Sequence, residues 1–75
     1  MDQKQAAIIA VVELEAKLHF DCNHDDAPTL TQTDCDGARA SVFAGSHLLR
    51  SIVHSTLLSR IESAERWLAG RGAQG

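Results

Sequence analysis

The chain has 75 residues, is 44% hydrophobic and carries a net charge of −3. That length allows one domain at most, and that hydrophobic fraction excludes a disordered chain. An acidic balance argues against non-specific binding to nucleic acid.

Phe20, Phe43 and Trp67 are the only aromatic residues. The core is therefore aliphatic, a composition that favours helices over sheets. Charge is split along the chain. Residues 1–36 hold Lys4 and Lys17 against eight acids, whereas residues 37–75 hold five arginines against Glu62 and Glu65. Two segments of opposite sign are expected to lie beside each other. No export signal is visible, because the apolar run AAIIAVV is short and is interrupted by Glu13. No stretch approaches the ~20 apolar residues of a membrane span. Two cysteines without an export signal point to cytosolic thiols and a cytoplasmic protein.

The first helix is predicted over residues 3–21, with Asp2 as its cap and Gln5 three residues on. At about 100° per residue, Ala7, Val11, Leu14, Leu18 and Cys22 fall on one side. Ile8 and Val12 follow, then Ile9, Ala16 and Phe20. Glu13, Lys17 and Asp21 make a narrow polar strip. A helix apolar over most of its circumference is packed on more than one side. Glu15 and His19 interrupt the arc and are read as an i,i+4 pair.

Residues 22–35, CNHDDAPTLTQTDC, form the connection, where Pro28 and the Asn/Asp/Thr content exclude regular structure. Leu30 is expected to tuck back as a plug. The stretch DCNHDD opens like a calcium loop but has Asp26 where glycine is needed and Gln32 where a bidentate glutamate belongs. Its acids are read as ordinary loop acids.

The second helix is predicted over residues 36–69, capped by Thr33 or Asp34, with a frayed tail at 70–75. Val42, Leu49, Ile52, Val53, Leu57, Ala64 and Trp67 share its apolar face, and the small Gly45 allows a close approach there. The fold class is all-α: an antiparallel hairpin of two helices in a single domain. The first helix measures ~29 Å and an unbroken second ~51 Å. The far end would then overhang, leaving Leu57, Leu58, Ile61, Trp67 and Leu68 uncovered at ~1.5–3 kcal/mol each. A second copy completing a four-helix bundle, or another protein, would cover them. The rival is a break at Gly45–Ser46, which gives a three-helix unit with a 24-residue last helix.

His19, Cys22, His24 and Cys35 gather near the hairpin's turn and are the candidate metal ligands. Their spacing matches no standard zinc module, and reduced thiols with loop histidines are the plainer reading. A Cys22–Cys35 disulfide needs an oxidising compartment. His47 and His54 lie on one face of the second helix without a catalytic partner set. Arg60 falls on the apolar face and is expected to pair with an acid of helix one or of a partner copy. Glu62 and Arg66 are read as a surface pair. No helix-turn-helix or finger pattern is present.

These features point to a non-catalytic homodimer that binds another protein, as a small regulator, inhibitor or adaptor with no cofactor, nucleic acid or membrane. The expected interface is Val42, Leu49, Ile52, Val53, Leu57, Leu58, Ile61, Trp67 and Leu68. Truncating Trp67 is expected to weaken association by about 2 kcal/mol or more. The alternative is a zinc-binding or thiol-redox-switched module built on His19, Cys22, His24 and Cys35.

Overall fold

The structure, a computed structural model, describes residues 2–23 and 29–74. Those residues are helical apart from short connections. Helix α1 spans Gln3–Asn23 and α2 spans Gln32–Gly45. A 3-10 turn spans Ser46–Leu48, and α3 spans Ser51–Gln74. Among the described residues, no helix is long and apolar enough to cross a membrane.

Asp2 caps α1 as expected, its Oδ1 accepting from the Gln5 N–H at 2.7 Å. The second helix starts earlier than its sequence signals suggest. Thr31 is the cap, with an extended backbone, and its side chain accepts from the Asp34 N–H. The Asp34 carboxylate accepts in return from the Thr31 N–H at 3.0 Å. This reciprocal box satisfies two backbone donors. Asp34 also accepts from Lys17 Nζ at 2.8 Å, which ties α2 to α1. The Lys17 hydrogen bond, with that from the Thr31 N–H, holds the Asp34 carboxyl below its ordinary range.

The unbroken second helix is not formed. The chain leaves helical geometry at Gly45, whose φ is −95° and ψ 3°, and becomes extended at Leu49. The rival break is the observed one, but α3 starts at Ser51 rather than directly after the break, and its 24 residues run on to Gln74. Burial explains why. Turning α3 back places Leu57, Ile61 and Ala64 in the core with Ala7, Val11, Leu14, Leu30, Cys35, Ala38 and Val42. Each large aliphatic side chain so buried is worth ~1.5–3 kcal/mol. Interrupting a helix at a glycine, already ~1 kcal/mol unfavourable there, costs less.

Gly45 also meets α1 closely. A Cβ at this position would lie 2.6 Å from the Gln3 carbonyl oxygen. The close approach read from the sequence is therefore real, and its neighbour is the first turn of α1. Lys17 sits against Asp34 and Gly45 against Gln3 and Ala7, so α1 and α2 are antiparallel. α3 then runs alongside α1 in the same direction: Ile8 borders Ile52, Glu15 meets Arg60 and Asp21 meets Arg71. The molecule is an up-down-up arrangement of three helices. With α1 and α3 of similar length, the expected overhang disappears, and Trp67 and Leu68 pack half-buried against the chain's own core.

The tail also differs. α3 continues through Gly70, where the expected end lay. Arg71 anchors this last turn, with its guanidinium 5.2 Å from the Trp67 ring centre and 3.9 Å from Asp21. Leu30 is buried, as a plug should be.

Candidate functional site

Helical spacing assigns Asp21 to a polar strip, yet it is the one buried charged residue among those described. Its oxygens accept from the Thr29 N–H at 2.9 Å, the Thr29 hydroxyl at 2.9 Å and the Leu30 N–H at 2.7 Å. Burial alone would push its carboxyl up. The Thr29 and Leu30 hydrogen bonds and the Arg71 charge outweigh that and hold it below the ordinary carboxylate range. These donors converge on one buried carboxylate, so Asp21 fastens the returning connection to α1. Helical periodicity gives no sign of this, because it places a side chain on a face but not under a loop.

The charge asymmetry read from the sequence is realised as helix-to-helix pairs. Arg60 Nη1 donates to Glu15 Oε1 at 3.0 Å, so its partner is an acid of α1 in the same chain. Glu15 therefore does not pair with His19, whose Nε2 lies 3.4 Å from Asn23 Nδ2. Arg66 donates to Ser63 Oγ at 3.1 Å instead of pairing with Glu62. Arg39 holds Glu65 through both oxygens, and Gln32 Nε2 adds a third bond at 2.9 Å. These donors, Arg39 first, bring the Glu65 carboxyl down to about 2.

The metal and thiol candidates do not converge. His24 lies outside the described residues. Among the described residues, no group of three or more His, Cys, Asp or Glu side chains could hold a metal ion. Cys22 and Cys35 are both free; Cys22 is exposed and Cys35 buried. Burial, followed by the charges of Glu65, Asp34 and Asp36, pushes the Cys35 thiol up. A thiol held protonated is a poor nucleophile and a poor metal ligand.

The expected interface residues divide three ways. Val42, Leu57 and Ile61 are buried in the core, while Leu49, Val53, Leu58, Trp67 and Leu68 are half-buried against it. Ile52 is 75% exposed. Further exposed apolar side chains lie on α1, which the sequence marks as apolar almost all round. α2 and α3 cover the side carrying Ala7, Val11 and Leu14. The opposite side carries Ile9, Val12 and Phe20, which are 40%, 52% and 43% exposed. With Gln5 and Ala16 they form one row within ~80° of arc, at helical spacings of three and four.

Beside this row, Ile8, Ile52, Val53, Thr56, Leu57 and Arg60 line an open groove of about 260 Å³. The Thr56 hydroxyl donates to the Ile52 carbonyl at 2.7 Å, which turns its polar atom into its own helix. A second groove, of about 230 Å³, lies between α1 and α2. Its Lys17 and Asp34 already satisfy each other. Phe43 and Leu48 are exposed near the α2–α3 junction. No family model, curated protein or solved structure matches the chain.

Proposed function

We propose that this chain is a non-catalytic protein–protein interaction module, a small dimeric regulator, inhibitor or adaptor. The observation that carries the reading is the uncovered apolar row of α1, continued by Ile8 and Ile52 on the α3 side. The docking surface is thereby moved from the second half of α3, whose apolar residues serve the core, to the outer side of α1.

The scale is that of a reversible contact. Covering Ile9, Val12 and Ile52 from their present exposure is worth roughly 2.5–5 kcal/mol at ~1.5–3 kcal/mol per full side chain. Association costs of about 4–15 kcal/mol are as large or larger, so the partner's own apolar surface must add to this term. A term of this size supports exchangeable binding rather than a permanent complex. A cytoplasmic setting agrees with two free thiols. In this reading no cofactor, nucleic acid or membrane takes part.

Affinity capture from the native host tests the proposal, using the full chain and an Ile9→Glu/Val12→Glu variant in parallel. Both substituted positions are exposed, so helical circular dichroism should not change. Proteins retained by the wild type should be lost with the variant. Identical retention by the two, or none by either, would contradict the proposal.

A further inference from the structure

We infer that the end of the bundle at the α2–α3 junction is a second docking surface, and that its occupant is an acidic segment of another protein bearing apolar side chains. This surface is separate from the outer row of α1 and does not depend on it. Gly45 packs against Gln3, and Ile8 borders Ile52, so the start of α1, the junction and the start of α3 share one end of the molecule. Phe43 and Leu48 lie at that end, 79% and 46% exposed. Phe43 is the most exposed large apolar side chain among the described residues. Aromatic side chains are enriched at interfaces relative to the rest of a protein surface.

Charge identifies the occupant. From Gly37 to Ile61 the sequence contains no Asp or Glu, but it holds Arg39, Arg50 and Arg60 with His47 and His54. Arg39 is paired with Glu65, and Arg60 with Glu15. Arg50 is exposed at the junction and has no acid partner among the described residues. The first turn of α3 contains no acid either. At the start of α1, Asp2 and Lys4 offset each other. The chain's net charge of −3 does not govern this end. The nearest acid to Phe43 along α2, Asp36, is ~10 Å away at about 1.5 Å per residue, beyond the ~8 Å screening length at physiological salt. Glu13 and Glu62 are farther along their own helices. An unpaired guanidinium and an uncovered aromatic ring at one end are complemented by carboxylates interspersed with apolar side chains.

Panning a library of random displayed peptides on the full chain tests this. Recovered peptides should combine Asp or Glu with Leu, Ile or Phe, and added salt should weaken their binding. Phe43→Ser and Arg50→Glu should each weaken it about tenfold or more. Both positions are exposed, so circular dichroism should not change. The Ile9→Glu/Val12→Glu variant should bind these peptides as the wild type does, which keeps this surface distinguishable from the α1 row. Peptides without an acidic bias, acidic peptides held equally well by Phe43→Ser, or no enrichment at all would overturn the inference. So would a chain that ignores the acidic peptides but sediments with phosphatidylserine vesicles through Phe43 and Arg50, which would assign this end to an anionic lipid surface.

Discussion

Replacing Gly45 with alanine should destabilise the protein, although alanine is the better helix former. The added Cβ would lie 2.6 Å from the Gln3 carbonyl oxygen and 3.0 Å from its carbon. Both are backbone atoms, so relief requires moving the first turn of α1, where overpacking typically costs ~1–3 kcal/mol. The opposing gain in helix propensity, at most ~1 kcal/mol, is small here because Gly45 is the last residue of α2. Its φ is negative, so backbone strain plays no part. The net loss should be about 1–2 kcal/mol, read as a lower midpoint in urea at unchanged slope. A domain of this size loses about 4–8 °C in Tm per kcal/mol. Gly37→Ala is the control. It lies inside α2, exposed, with nothing within 4 Å of an added methyl group, and should gain ~0.5–1 kcal/mol. Opposite signs at the two glycines are expected. A Gly45→Ala protein as stable as the wild type would refute the close-contact reasoning.

Trp67→Ala should cost about 2 kcal/mol of folding stability, below the usual range for a fully buried aromatic because Trp67 is half-buried. The loss should not depend on protein concentration; denaturation at several concentrations checks this and separates a core role from the interface role expected from sequence. Glu65 has its folded pKa, about 2, below its ordinary 4.5. Its contribution is therefore complete above about pH 4.5 and is lost as pH falls towards 2. Arg39→Met should flatten that acid limb and cost ~1 kcal/mol or less at neutral pH, since the pair is partly exposed. Asp21→Asn puts an amide N–H₂ where only acceptors fit. Hydrogen exchange should show the Thr29 and Leu30 amides losing protection before the rest of the core.

Much of the local structure was legible in the sequence. The Asp2 cap, the start of α1, the Leu30 plug, the pairing of Arg60 with an acid and the close approach at Gly45 all follow from residue type and spacing; α1 runs two residues past its expected end at 21, and the sequence left Arg60 a choice between α1 and a partner copy. The break after Gly45 was visible only as an alternative. A lone glycine is tolerated inside helices, and here the deciding term is burial of Leu57 and Ile61, which sequence spacing cannot weigh. The earlier start of α2 follows from the Thr31–Asp34 box, which competes in the sequence with the equally good cap residues Thr33 and Asp34. The continuation of α3 past Gly70 depends on Arg71 meeting both Trp67 and Asp21, and the second of these contacts joins residues distant in sequence. For the interaction surface, the sequence marks α1 as apolar nearly all round but does not say which sector its own chain leaves open.

The outer row of α1 as the face of the proposed dimer is tested most directly by following methyl resonances of the isoleucines and valines through a dilution series. Ile8, Ile9, Val12 and Ile52 should shift together with concentration, while the core methyls of Val42 and Ile61 hold still. Methyl shifts that leave the α1 residues unmoved, or that concentrate on another face of the molecule, would contradict it.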